Sequence, residues 1–258
     1  MTATADQKAL ELRNLHVPGK PIVFANVFDP VSARIVASNP SCTAVATASY
    51  AIAAVNGQED DSLDLETNLS SLRLIAPVAS KHNKPLSVDL QDGYGDRLEE
   101  AVEAIIAVGA SGCNLEDRDN QTGKLFPLDE AVNRVRRVMA AAAKAGVPNF
   151  ALNARTDTFL LNKDIEDAIA RGKAFLEAGA NTVFVWGGLS RDNVATLSTA
   201  FGGKLNVIAI SNGLTIQEIA DLGVARISVG PRLWRAGTMA FEAEAKALLN
   251  EYEVMRSK

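Results

Sequence analysis

Three features of the sequence predict a single (β/α)8 barrel, a TIM barrel, over residues 1–258. Short β-branched runs alternate with amphipathic stretches of helical period. A glycine flanked by small apolar residues recurs ahead of these runs, at 108–110, 145–147, 178–180 and 222–224. Only glycine turns a helix back toward the next strand through the left-handed conformation without strain. Eight such units, each about 20 to 40 residues long, fill the chain, which matches a barrel whose active site lies at the C-terminal strand ends.

The strands are expected at 21–28, 44–49, 86–90, 112–116, 150–154, 182–186, 205–210 and 226–229. Between them, 98–108, 128–145 and 165–178 place apolar residues three and four apart, and the last two end near a capping glycine. The interval between the second and third strands is long enough for a loop rich in Asp and Glu at 53–64 and a helix at 65–82. In a barrel that loop hangs over the mouth. The competing fold is a doubly wound open sheet, but no Gly-x-Gly-x-x-Gly opens the first βα turn. No Pro- or Ser-rich linker divides the chain, so one domain is expected.

Composition narrows the class. Hydrophobic residues make up 47% of the chain and aromatics 5%, which suits helices packed on a parallel sheet. A net charge of −5 argues against nucleic acid or an anionic membrane as a partner. The basic cluster at 134–137 is read as the solvated face of a helix. Cys42 and Cys113 form no CxxC motif and there are two histidines, which leaves no zinc site. His16 and His82 are expected to be structural or solvated. The polar segment 1–8 is neither a secretory signal nor a transit peptide, and no apolar run approaches a membrane span. A cytoplasmic location with reduced cysteines is expected.

The chemistry-bearing residues gather at strand ends. Asp89 and Asp92 close the third run and Glu116-Asp117 the fourth, giving hard oxygen donors that suit Mg²⁺ or Mn²⁺. The plainer role for Asp92, Asp96 and Asp117 is capping. Ser49, Tyr50 and Ala51 follow the second run, and their hydroxyl and amide groups suit a carboxylate or a developing oxyanion. Gly93 and Gly95 either permit a tight turn or give room for substrate to approach the backbone. Arg155 ends the fifth run, where its planar fork suits a substrate carboxylate; pairing with Asp157 or Glu116 is the alternative. Trp186 is placed to wall a pocket and Trp234 to pack within the core or between subunits.

These residues carry a resemblance. Asn26-Val27-Phe28-Asp29-Pro30, the Ser49 strand end, 57–60, Asp89-Leu90-Gln91-Asp92-Gly93-Tyr94-Gly95, Asn114-Leu115-Glu116-Asp117, Ala154-Arg155-Thr156-Asp157 and 223–228 occur in the order found in the isocitrate lyase and phosphoenolpyruvate mutase superfamily. The chain resembles that superfamily over nearly its whole length, particularly its phosphonomutase-like and carboxyvinyl-carboxyphosphonate phosphorylmutase-like branch.

The resemblance implies an enzyme with Mg²⁺ held by Asp89 and Glu116 and an outer acid at Asp60. It implies a small 2-oxo acid or its enolate held by Ser49, the following amides and Arg155. It also implies homodimers or homotetramers whose last helix exchanges between barrels.

Two departures qualify the expected chemistry. Gln91 replaces the family's second Asp, and the Lys-Lys-Cys-Gly-His segment of isocitrate lyases is absent. The segment 118–126 also lacks the Lys-Thr-Asn-Ser sequence of mutases and phosphonopyruvate hydrolases, and Lys124 within it reads best as an exposed loop lysine. The leading expectation is a Mg²⁺-dependent lyase or hydrolase of a small 2-oxo or 2-hydroxy carboxylate, phosphonates included, cleaving a C–C or P–C bond. A phosphoenolpyruvate mutase and a catalytically silent metabolite-binding barrel are the rivals.

Overall fold

Thr4 starts the described chain's first helix with a reciprocal cap: Gln7 N donates to Thr4 Oγ1 at 3.2 Å and Thr4 N to Gln7 Oε1 at 2.8 Å. A computed structural model describes residues 3–256. Helix α1 (Ala5–Asn14) has too short an apolar stripe to stand out in the sequence, yet its Ala9 and Leu12 are fully buried. Leu12 packs with Ile22, Phe24, Ala44, Ala46 and Ala151, so α1 plugs the barrel from its N-terminal end.

The strands are β1 (Ile22–Phe24), β2 (Val45–Ala46), β3 (Leu86–Asp89), β4 (Ala110–Glu116), β5 (Ala151–Thr156), β6 (Thr182–Val185), β7 (Leu205–Ile208) and β8 (Arg226–Ser228). They form one eight-stranded sheet in the order β1-β8-β7-β6-β5-β4-β3-β2, and every strand pair is parallel. A parallel bridge between Val27 and Thr47 and an Asn26 Nδ2–Thr47 O bond of 2.8 Å nearly close it between β1 and β2. This is the expected (β/α)8 barrel. β2 is shorter than expected because Ser49 opens helix α3 (Ser49–Val55), after α2 (Pro30–Ala37).

Helix α4 (Leu65–Lys81) follows a 3₁₀ turn at Asp60–Ser62. Then come α5 (Leu98–Ala107), α6 (Leu128–Lys144), α7 (Thr158–Asn162), α8 (Ile165–Glu177), α9 (Arg191–Ala200), α10 (Ile216–Asp221) and α11 (Arg232–Arg256). The strand period of two sends Val88, Cys113, Leu115, Leu152 and Ala154 out into the core beneath these helices. The alternate residues face the barrel axis and form a polar layer above the Phe24 level: Asn153 Nδ2 donates to Asn114 Oδ1 at 2.8 Å, and Thr182 Oγ1 to Asn153 Oδ1 at 2.7 Å. Arg226 fills the middle, its guanidinium 4.4 Å over the Phe24 ring and 3.1 Å from Asn114 Oδ1.

One charged residue departs from expectation. Arg134 is buried rather than solvated: it donates to Asp92 O and stacks 4.5 Å over Phe126. Its neighbours follow the surface reading, Arg136 being exposed and Arg137 pairing with Glu99 at 2.6 Å. A helical stripe of arginines looks solvated in sequence; only the tertiary approach of the Asp92 loop gives one of them a carbonyl.

His16 lies under the barrel with Nδ1 2.7 Å from Leu12 O and Nε2 buried without a partner. Burial, followed by the charge of Arg226, pushes its pKa down from 6.5 to about 3. Between those values the unfolded chain binds a proton that the folded chain excludes, so stability falls as pH drops below about 6.5. Urea titrations are expected to show a loss approaching about 1.4 kcal/mol per pH unit from this group, and a smaller slope in His16→Gln. An unchanged slope would contradict it.

Candidate active site

The C-terminal strand ends open into a cavity of about 910 Å³ lined by Ser49, Asp60, Asp89, Arg155 and Trp186 among others. Each reaches it for a local reason. Asp89 is the last residue of β3 and faces the axis; its Oδ2 accepts from Ser49 N at 3.0 Å. That bond uses a first-turn amide of α3 that has no acceptor within its own helix. Asp89 Oδ1 is buried and has no partner.

Asp60 comes from the acidic loop over the mouth. Gln91 Nε2 donates to Asp60 O at 2.7 Å and to Asp60 Oδ1 at 3.2 Å, with Gln91 itself in the left-handed region at φ 52°. The nearby Ser49 side chain favours the charged form of the Asp60 carboxylate. Burial first, and the charge of Asp89 second, push its pKa up to about 6. The glutamine that departs from the family pattern therefore grips the outer acid.

Glu116 and Arg155 are register partners on β4 and β5, joined by a 2.7 Å bond from Arg155 Nη1 to Glu116 Oε1. Arg155 also grips Asp157 with both remaining nitrogens, Nε to Oδ1 at 2.6 Å and Nη2 to Oδ2 at 2.8 Å. Its guanidinium stacks 4.5 Å from the centre of the Trp186 ring. The fork expected for substrate is thus already held on two carboxylates, and Asp157, fully buried, is the orienting residue that sequence reasoning treated only as an alternative partner. Burial raises the Glu116 pKa well above its ordinary value, reinforced by Asp157, Asp89 and Asp60 and opposed by Arg155.

Other expected residues lie elsewhere. Asp92 accepts from Tyr94 N at 2.9 Å and Asn120 N at 3.1 Å, bracing two loops. Asp117 accepts from Asp157 N at 2.9 Å and Arg171 Nη1 at 3.1 Å, fixing the end of β5. Gly93 and Gly95, expected to give substrate room, are not among the cavity's lining residues. A Cβ at Gly93 would meet Leu98 Cδ1 at 2.3 Å, so glycine there answers to packing and a φ of 81°. Tyr50 lines the cavity, whereas Ala51 is buried beside it. Lys124 is exposed on a hairpin that Asp119 holds together by bonds from Gln121 N and Thr122 Oγ1.

The donor set can be tested against a divalent metal. Among the described residues no three His, Cys, Asp or Glu side chains converge on one point, so the protein alone encloses no ion. Mg²⁺ needs no enclosure, since one or two carboxylates suffice when water and substrate supply the rest. The partnerless Asp89 Oδ1 and the excess of acid around Glu116 fit such a cation, with Asp89 and Glu116 as its carboxylates, although Glu116 is buried against Arg155 and is not itself among the cavity's lining residues.

A parallel barrel with carboxylates and a clamped arginine at its C-terminal mouth defines an enzyme for small anionic substrates. The model of the phosphoenolpyruvate phosphomutase family matches residues 12–249, and the chain belongs to that family. It is an enzyme of the phosphoenolpyruvate mutase and isocitrate lyase superfamily, whose lyases and mutases act on small carboxylates. It is 31% identical over 245 residues to an oxaloacetate decarboxylase of Paraburkholderia xenovorans, covering 92% of this chain and 78% of that one. To a chloroplastic carboxyvinyl-carboxyphosphonate phosphorylmutase of Arabidopsis thaliana it is 29% identical over 212 residues, 78% and 61% of the two chains. The crystal structure of a Burkholderia cenocepacia J2315 protein provisionally called a phosphonomutase superposes with a TM-score of 0.87 at 36% identity, over 93% of this chain and 99% of that one.

Proposed function

We propose that this enzyme is a Mg²⁺- or Mn²⁺-dependent lyase or hydrolase of a small 2-oxo or 2-hydroxy carboxylate, breaking a C–C or P–C bond and leaving the charge as an enolate. The observation that carries this reading is that Asp89, whose Oδ1 is buried and without a partner, lines the same cavity as the clamped Arg155. Bound metal would act as a Lewis acid that stabilises negative charge on substrate oxygen. Asp89 and Glu116 would hold it, with Asp60 outside them.

The chain's own residues do the rest. Ser49 and the first turn of α3 receive the substrate carboxylate. Arg155, fixed by Asp157 and Glu116, places positive charge where the enolate oxygen develops, without reorganising during the reaction. Trp186 covers the guanidinium and keeps water from it. The electron pair of the breaking bond passes into the enolate; a 2-hydroxy substrate must also give up its hydroxyl proton, and a hydrolase the proton of its attacking water, which a lining carboxylate such as Asp60 would take.

The lyase reading stands ahead of the mutase because the 118–126 hairpin lacks the Lys-Thr-Asn-Ser sequence and folds on itself, held at the mouth by Arg118–Asp61 and by Asn120 N on Asp92 Oδ2, each at 3.1 Å. A panel of oxaloacetate, 2-methylisocitrate, phosphonopyruvate and phosphoenolpyruvate, run with Mg²⁺ and with EDTA, tests it. Cleavage of at least one member that stops with EDTA is expected. Binding without product would favour the silent barrel, and interconversion of the two phosphorus compounds the mutase.

The same reading includes a homodimer or homotetramer in the cytoplasm that exchanges α11. No residue of α11 is buried, Phe241 is 78% exposed, and Val23 on the outer side of β1 is 42% exposed. Helix α11 of a second copy would cover both. Light scattering that reads a monomer would exclude this assembly. The two cysteines are unpaired, as a reducing compartment requires, and among the described residues no helix is long and apolar enough to cross a membrane.

A further inference from the structure

The cavity is lined by charges of both signs. Of its lining charges, Arg118 pairs with Asp61, and Arg155 with Asp157 and Glu116. Among the described residues that leaves Asp60 and Asp89 with no cationic partner in an ion pair, and Arg232 and Arg235, both exposed, with no carboxylate partner. Arg232 makes one long bond, from Nη1 to Ala209 O at 3.5 Å. Arg235 lies 5.0 Å over the Tyr50 ring, next to Ser49.

The two arginines are three residues apart in the first turn of α11, and Ala236 and Met239 line the cavity with them. This spacing puts all four on one helical face, so α11 presents a deliberate wall to the mouth rather than a stray charge. Tyr50 also meets Trp234 edge to face at 5.6 Å, which fixes that wall against the α3 turn receiving the substrate's carboxylate.

We infer that Arg232 and Arg235 are specificity-determining residues that bind a second carboxylate of the substrate, distal to the 2-oxo or 2-hydroxy acid head. This rests on the reading of the head site given above. A divalent cation would sit against Asp89, and the head group would be met by Ser49 and Arg155. The guanidinium groups of Arg232 and Arg235 then remain at the same cavity with no carboxylate in an ion pair with either among the described residues. A substrate carrying one carboxylate leaves them unmatched; a dicarboxylate satisfies them by charge-assisted, forked hydrogen bonds.

The test is calorimetry on the Mg²⁺-loaded full chain with oxalate, which carries the head alone, and with two ligand pairs that differ by one terminal carboxylate: lactate against malate, and 2-oxobutyrate against 2-oxoglutarate. In the wild-type protein the added carboxylate is expected to tighten binding at least about tenfold in one pair. Arg232→Gln with Arg235→Gln should erase that gain and leave oxalate within about threefold, while Arg235→Lys, which keeps the charge over Tyr50, should restore part of it. No gain in either pair, or a gain that survives the double substitution, would overturn the assignment. Failure of oxalate to bind the wild-type protein would remove the head-site reading and this inference with it. A double variant that loses oxalate as well as the gain would show that the wall shapes the head site instead, and would also overturn it.

Discussion

Arg155→Lys is expected to lower kcat/KM by at least about 100-fold, because a point charge cannot reproduce the fork that meets Asp157 and Glu116 together. Lysine keeps one positive charge in the cluster but reaches one carboxylate at a time, so its position relative to the enolate oxygen is lost. Arg155→Met removes the charge as well. It leaves Glu116 and Asp157, both buried, without their cation, and breaking a buried pair from one side costs about 3–5 kcal/mol. The two variants therefore separate chemistry from folding: the lysine variant should lose activity with a modest change in urea midpoint, and the methionine variant should lose both. An Arg155→Lys protein with near-native kcat/KM would show that the fork is structural only.

Gly112→Val is expected to destabilise the barrel by about 3 kcal/mol or more, by overpacking against a part of the structure that cannot move aside. A Cβ at Gly112 would lie 2.3 Å from Ala151 O, a backbone atom of the neighbouring strand, and 3.0 Å from Leu12 Cδ2 of the plugging helix. Relief requires β4 and β5 to part or α1 to lift out of the barrel floor. Gly188→Ala serves as the control, since open space surrounds that position, and a change within about 0.5 kcal/mol is expected there. Equal urea midpoints for the two variants would contradict the packing account of the floor.

The sequence carried the barrel because strand period and helix period are local signals. The inward positions Asp89, Glu116 and Arg155 could be named because each ends an apolar run, where an acid or arginine has no reason to sit unless the strand end faces a site. What was missed depends on contacts distant in sequence. The apolar residues of α1 gain their meaning only from Phe24, Ala44 and Ala151, although Thr4 with Gln7 is a readable cap. Arg134 sits in a stripe of arginines that no local rule divides into buried and solvated members. Gly93 was read for φ and for substrate, yet Leu98 decides its size. Gln91 looked like a lost carboxylate, whereas its amide donates to Asp60. The arginine wall follows an ordinary Gly-Pro turn, and only the placement of α11 over the mouth shows it.

The central claim is that Asp89 and Glu116 hold a divalent cation against which the 2-oxo acid head binds. Calorimetric titration of oxalate, with Mg²⁺ and with EDTA, into the wild-type protein and Asp89→Asn tests it most directly. Oxalate is expected to bind the wild-type protein at least about tenfold more tightly with Mg²⁺ than without, and Asp89→Asn should abolish that difference while retaining the fold. Equal oxalate affinity with and without the metal, or an undiminished metal effect in Asp89→Asn, would contradict the account.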